Sequence, residues 1–335
     1  MKNLIYILIL ILHSAVFGQD LHSSNIQYLS TIYNPALTAL KNETEGILTH
    51  RSQWRKVGSP YTANMVSFGT TLMPNRRKNQ GYLALGFNGY NEQMNKTSSI
   101  SSFVVNSAYH VYFTEQIKLS TGINAGYYGF KMDEAKGSWE SQFNGLYYDS
   151  NLNSGENFAT QKQSKFDVGS GVVFTVLSRN KRVNLFQMGI SAFHLNRPNM
   201  SFLTNGTNRL PIRYVGFGSF AIPLKKRGAY IESSLLFQQQ LKFTSLTMGA
   251  MLKIKLIEKA KYTSQYSKLN EVFGGIGGYL RNKDAIIINI SLQKSNWTAS
   301  LAYDANISGL KQANNNNGAV EIQMSFTIPT YGVGR

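Results

Sequence analysis

The sequence predicts an all-β protein: a transmembrane antiparallel β-barrel of about 14 strands with a short periplasmic N-terminal hatch segment. Three observations carry this. Apolar and polar residues alternate in runs of about ten, as strands with one wet and one greasy face require. After residue 18 no apolar run reaches the ~20 residues that a spanning helix needs. Charged residues are only 15% of the chain, against about 25% in soluble domains, too few to clothe a soluble surface of this size.

Residues 1–18 read as a Sec export signal. Lys2 supplies the positive start, Leu4 to Leu12 the apolar run, and Val16-Phe17-Gly18 a small-x-small cleavage site before Gln19. The competing reading, a retained anchor, has too short an apolar stretch. Export removes cytoplasmic chemistry and nucleic-acid binding, so the net charge of +17 needs an explanation in the envelope. With no cysteine, disulfides, thiolate metal sites, Cys nucleophiles and Cys-linked lipid anchors are excluded. The expected organisation is signal 1–18, a periplasmic or lumen segment 19–44, the outer-membrane barrel 45–328 and a tail 329–335.

Fourteen strands are expected: 46–54, 62–72, 80–91, 98–113, 116–132, 166–179, 182–194, 210–223, 228–239, 243–254, 270–281, 284–294, 296–305 and 318–328. The clearest alternation puts Ile286, Ile288, Ile290 and Leu292 opposite Asn289, Ser291 and Gln293. The next strand opposes Trp297, Ala299, Leu301 and Tyr303 to Thr298, Ser300 and Asp304, and the last opposes Val320, Ile322, Met324 and Phe326 to Glu321, Gln323 and Ser325. In lipid an open sheet edge leaves backbone groups unpaired, so closure is required. A soluble sandwich also alternates. Against it stand polar faces built of Ser, Thr, Asn, Gln and Gly, aromatics near strand ends, and runs longer than the usual five to six residues. The glycines at 274–275 and 277–278 lack the helix and Lys of a phosphate loop and read as close-packing positions.

With both ends of the barrel chain in the periplasm, outward connections should be long and inward ones short. The segments 133–165, 195–209 and 306–317 fall outward; 114–115, 180–181, 224–227 and 295 fall inward. Residues 255–269 break the rule. Most of the positive charge sits on inward segments: Arg76, Arg77 and Lys78; Arg179, Lys181 and Arg182; Lys225, Lys226 and Arg227; Lys253, Lys255, Lys259, Lys261 and Lys268; and Lys294. The outward segment 133–165 is acidic on balance. A basic periplasmic rim follows, with two readings open: attraction to anionic headgroups of outer-membrane lipid, or docking of an acidic periplasmic partner.

Several short segments stand out. They are Asn34-Pro35-Ala36-Leu37, Arg51-Ser52-Gln53-Trp54, His194-Leu195-Asn196-Arg197-Pro198-Asn199-Met200-Ser201-Phe202, Gly277-Gly278-Tyr279-Leu280-Arg281, Tyr303-Asp304-Ala305-Asn306 and Glu321-Ile322. In order and spacing they resemble the PorP/SprF family of Bacteroidetes outer-membrane proteins, linked to type IX secretion and gliding motility. The likeness covers essentially the whole mature chain. Two departures are Thr38-Ala39 in place of Ala-Gly, and Val320 in place of a His before Glu321. The resemblance implies an accessory that supports secretion or cell-surface attachment of a cognate adhesin-like protein through that protein's C-terminal domain. It further implies contact with a periplasmic type IX ring or a peptidoglycan-associated lipoprotein.

The residues themselves suggest more limited roles. Asn34, Pro35 and Ala36 form a turn that either steers the chain into strand one or builds a hatch in the barrel mouth; a similar lead occurs in FadL-like barrels. His194, Asn196, Pro198, Asn199 and Phe202 open an outward loop, read either as packed or as touching a partner, with Met200 and Phe202 as its anchors. Asp304 and Glu321 lie on polar faces of neighbouring strands, where a buried carboxylate must be paired; Arg51 and Arg213 are the candidate cations. A polar relay is the alternative. No Cys, His or carboxylate stands at ligand spacing from His194, and Ser170, Ser191 and Ser201 lack a nucleophile elbow. The reading is a non-enzymatic secretion accessory with no cofactor or metal. The alternative is a FadL-like or porin-like channel for a small solute.

Overall fold

In the computed structural model fourteen antiparallel strands close into a barrel, with β1 bonded to both β2 and β14. The structure describes residues 22–41, 43–55, 60–72, 81–94, 97–133, 137, 139–153, 155, 161–177, 184–202, 206–224, 228–257, 272–309 and 317–329. The strands are β1 Glu43–Gln53, β2 Tyr61–Thr71, β3 Tyr82–Gln93, β4 Ser98–Tyr112, β5 Ile117–Met132, β6 Gln161–Leu177 and β7 Asn184–Phe193. They continue with β8 Arg213–Pro223, β9 Ala229–Gln240, β10 Phe243–Ile257, β11 Val272–Arg281, β12 Ala285–Lys294, β13 Trp297–Asn306 and β14 Asn317–Pro329. No helix among the described residues is long and apolar enough to cross a membrane.

The alternation puts the apolar face outside. On β12, Ile286, Ile288, Ile290 and Leu292 are exposed while Ala285, Ile287 and Asn289 are buried. Closure gives every strand a partner on both sides, so the barrel has no open edge. Aromatic rings mark both ends of the wall. Phe103, Tyr127 and Phe166 share one register row near one end. Trp297 and Phe326, with ring centroids 5.5 Å apart, lie near the other. Such pairs of aromatic girdles flank the apolar band of outer-membrane barrels.

Most strand boundaries shift by one to five residues from expectation, β1 starting and β10 ending three residues further out, and three of the shifts have a clear local cause. β6 starts at Gln161 rather than 166, because Gln161–Lys165 pair with Met132–Tyr128 and lengthen the hairpin. β8 starts at Arg213 rather than 210; Pro211 has no N–H to give a ladder. Trp54 lies just past β1 with φ +57, leaving the strand there.

Residues 22–41 lie in the lumen rather than in the periplasm, and most of them are buried. Ile26, Ile32, Tyr33, Ala36, Leu37 and Leu40 join inward wall residues such as Met65, Phe217 and Met251 in one apolar core. Here a barrel interior is a packed core because the chain's own N-terminal segment supplies much of it. The paired ends Glu43 and Pro329 define the inner end, facing the periplasm under the usual barrel topology.

The basic positions Arg76, Arg77, Lys78, Arg179, Lys181, Arg182, Lys225, Lys226 and Arg227 lie outside the described residues, as do Lys259, Lys261 and Lys268. Lys253 does not belong to a rim. It is buried in the lumen against Glu232, with 2.7 Å between Nζ and Oε2, because it has the inward parity of β10.

Candidate functional site

The lumen plug is held at four places. The outermost is an ion network. The Arg51 guanidinium reaches Asp304 at 2.9 Å and Glu321 at 3.1 Å. Gln53 Oε1 accepts from the Arg51 Nε and Nη2, which fixes the plane of the fork. Arg281 supplies the second cation, 3.0 Å from Asp304 and 3.1 Å from Asp284. Arg51, Asp304, Glu321 and Arg281 are all nearly fully buried. Two buried cations against two buried carboxylates leave the core neutral, as a low-dielectric interior demands.

The network grips the plug. Glu321 accepts from the Ser23 hydroxyl at 2.5 Å, the Ser24 N–H at 2.8 Å and the Asn25 side-chain amide at 2.7 Å. Arg51 and Arg281 both donate to Ser24 Oγ. Asn25 Oδ1 accepts from Asn289 and Ser300. Arg51, Arg281 and Asp304 all lie at or near the outer strand ends, so residues 23–25 sit toward the outer mouth.

The next hold is Lys253. Its ammonium lies 4.7 Å from the centre of the Tyr28 ring and 5.7 Å from that of Tyr230, a cation–π contact to the plug. Replacing Glu232 with alanine strands this buried ammonium. The expected cost is about 2 kcal/mol, below the 3–5 of a fully buried pair, since Glu232 is one-fifth exposed. The compact barrel band on unheated SDS gels should disappear at a lower temperature than in wild type; an unchanged melting temperature would show that Lys253 finds another partner.

The third hold is the Asn34-Pro35-Ala36 turn. Asn34 Oδ1 accepts from the Ala36 N–H at 2.9 Å, and its Nδ2 donates to the Val172 and Ile190 carbonyls of the wall. Pro35 opens a short 3-10 turn with its φ already set. The wall makes room with glycine. A Cβ at Gly122 would stand 2.5 Å from Ala36 N, and one at Gly171 would collide with Asn34 Oδ1.

The innermost hold closes the segment. Lys118 and the Tyr82 hydroxyl donate to the Leu40 carbonyl, and His110 Nε2 lies 2.9 Å from Thr38 O. Lys118, Tyr82 and His110 sit near the inner strand ends. The segment therefore runs from the outer mouth at Ser23 to the inner mouth at Leu40, then turns into β1.

Arg51, Gln53, Asp304 and Glu321 are thus brought together, and Asn34, Pro35 and Ala36 belong to the same plug. Arg213 is not the second cation. It donates to Ile32 O at 3.2 Å and stacks on Phe193, and Arg281 takes the place foreseen for it. Arg281 was marked by inward parity at the end of an alternating strand and by Asp284 three residues on. Ser23, Ser24 and Asn25 carry no signal in the sequence.

The remaining singled-out residues stand apart. Tyr303 faces outward. Trp54 packs near Tyr61. His194 is buried 2.9 Å from Asp167, with its ring edge-on to Tyr128. Asn196 donates to Phe166 O, and Asn199 Oδ1 accepts from Asn208 N. Met200 is buried and Phe202 packs against Phe130, so neither is a free anchor. Pro198 O accepts from the Leu210 N–H. This outward loop is folded onto the barrel. Among the described residues no cluster of His, Asp and Glu could hold a metal ion.

The model for the family described as "Type IX secretion system membrane protein PorP/SprF" matches residues 15–326, nearly the whole chain. The chain belongs to the PorP/SprF family. No curated protein is significantly similar in sequence. Solved outer-membrane barrels are among the structures to which this PorP/SprF protein is similar. The toluene transporter TbuX of Ralstonia pickettii is 9% identical, with TM-score 0.44, covering 89% of this chain and 91% of that one. A Pseudomonas aeruginosa FadL homologue is 8% identical, with TM-score 0.44, covering 88% and 92%. BamA of Haemophilus ducreyi, lacking POTRA domains 1–3, is 11% identical, with TM-score 0.42, covering 86% and 70%. Membership places this PorP/SprF barrel in the outer membrane as a component of type IX secretion.

Proposed function

We propose that the protein is a Sec-exported, non-enzymatic accessory of type IX secretion. It supports secretion or surface attachment of a cognate adhesin-like protein by binding that protein's C-terminal domain at the outer loops. On the inner side, the basic residues at 76–78, 179–182 and 225–227 of the sequence meet a periplasmic ring component or a peptidoglycan-associated lipoprotein.

One observation carries the outer half of this reading. The segment 139–153 is an ordered loop that displays aromatic and aliphatic side chains. Its 3-10 turn Glu140–Gln142 leads into a Phe143–Tyr148 bridge, and Asn144 Oδ1 accepts from the Leu146 and Tyr147 N–H groups. Phe143, Tyr147 and Tyr148 are exposed, and Leu146 is 87% exposed. Exposed rings on a preordered loop are the usual anchors of a protein interface. The filled lumen counts against a solute channel, since residues 22–41 occupy the path.

Replacing 139–153 by a short Gly-Ser linker should abolish display of the cognate surface protein while the barrel still shifts with heating on SDS gels. Normal display with the linker in place overturns the loop assignment. Solute uptake into liposomes by the intact wild-type barrel would favour the channel instead.

A further inference from the structure

The plug has one free end, and that end points outward. The His22 ring lies edge-on to Phe243, with centroids 5.2 Å apart. Phe243 is the first residue of β10, at the outer end of the wall. Arg281, which donates to Ser24 Oγ, is the last residue of β11 and stands at the same level. The outer turns beside them, 241–242 and 282–284, are too short to fold over the chain as it leaves the lumen. The other end of the plug is not free. Lys118 and Tyr82 hold the Leu40 carbonyl at the inner mouth, and the chain then enters β1, which is laddered to β2 on one side and β14 on the other.

We propose that the amino end of the processed chain is displayed on the cell surface while the plug is in place, and that the plug opens by withdrawing inward. The proposal rests on the reading above of an exported barrel whose long loops face out. With His22 at the outer mouth, an unprocessed leader could not stay in the inner membrane. Gly18 and His22 are joined by about 14 Å of chain, against about 30 Å for the hydrocarbon of the outer membrane alone. Processing therefore precedes entry of the plug.

The direction of opening follows from the tether. Fully extended, the segment from His22 to Leu40 spans about 65 Å, roughly twice the hydrocarbon thickness. Pulled outward, it still passes through the lumen, because Leu40 leads into β1 at the inner mouth. Drawn inward, the free end follows and the path clears, once Ser23, Ser24 and Asn25 have left Glu321, Arg51 and Arg281. The two faces of the barrel thereby oppose each other through one segment. A binder that grips the amino end outside is too large to follow it into the lumen and favours the closed barrel. A periplasmic partner that takes up the withdrawn segment favours the open one.

The chain has no native cysteine, so single-cysteine variants can be labelled without background. On intact cells a membrane-impermeant maleimide should label Asp20→Cys, and also Leu146→Cys on the exposed outer loop. Lys41→Cys, exposed at the inner mouth, should react only after the outer membrane is permeabilised. Adding Arg51→Met to Asp20→Cys should cause a loss of labelling on intact cells that permeabilisation restores. In planar bilayers, openings of Arg51→Met carrying an amino-terminal epitope should become rarer when antibody to the epitope is added on the outer side. Asp20→Cys that reacts only after permeabilisation, while Leu146→Cys reacts on intact cells, overturns the proposal and leaves the outer-loop reading standing. Leu146→Cys that is unreactive on intact cells overturns both. Undiminished surface labelling of Asp20→Cys in a conducting Arg51→Met barrel overturns inward withdrawal, as do openings that outer antibody leaves unchanged.

Discussion

Arg51→Met will release the outer end of the plug and make the barrel conduct. The methionine fills similar volume but strands Asp304 and Glu321 with one cation, Arg281, for two buried carboxylates. Breaking a buried pair from one side costs about 3–5 kcal/mol. The cheapest relief is water entering the outer lumen, which requires Ser23–Asn25 to leave. In planar bilayers the wild type should be silent or nearly so, and the variant should show frequent openings. Arg51→Lys should fall between the two. It keeps the charge, but a single ammonium cannot reach Asp304, Glu321, Ser24 and Gln53 together as the planar fork does. A folded Arg51→Met barrel with wild-type conductance would show that the network does not hold the plug.

Gly122→Val should evict the plug from its middle. The added Cβ alone would stand 2.5 Å from Ala36 N and 2.6 Å from the Pro35 carbonyl carbon. The wall cannot yield, because β5 is laddered to β4 and β6 along its whole length. The plug can, since at this level it is held by the side chain of Asn34, by the Ser191 hydroxyl on the Tyr33 carbonyl and by packing, with no ladder of its own. Overpacking typically costs about 1–3 kcal/mol, and a contact this short lies at the upper end. The expected readout is high conductance together with protease cleavage near Pro35, which wild type should resist. Gly216→Val, at a position where a Cβ would meet nothing within 4 Å, is the control. A folded Gly122→Val barrel that resists cleavage would place the plug elsewhere in solution.

How much was legible follows from what each feature depends on. The strand set was readable because alternation is local. A residue's parity says which way it points, and a lipid belt outside with a polar lumen inside makes parity visible in Ile286, Ile288 and Ile290 against Asn289. Parity also marked Asp304 and Glu321 as inward charges needing cations. It did not choose between Arg51, Arg213 and Arg281, all of them inward. Register and barrel closure decide that: β1 pairs with β14 so that Arg51 faces Glu321, while Arg213 lies across the lumen against the plug. The loop from His194 to Phe202 shows the same limit. Its turn residues announced a fixed turn, but only the tertiary packing shows that Met200 is buried and Phe202 lies against Phe130, while Leu195 stays exposed.

By itself, then, the sequence determined that strands cross a membrane, how many there are, which faces are greasy and which family they belong to, because each depends on neighbours a few residues away. The tertiary structure alone decided that residues 22–41 thread the lumen from one mouth to the other and which cations hold them. Those depend on groups up to 298 residues apart in the chain, as Ser23 and Glu321 are, and only a closed sheet brings such residues within reach of a hydrogen bond.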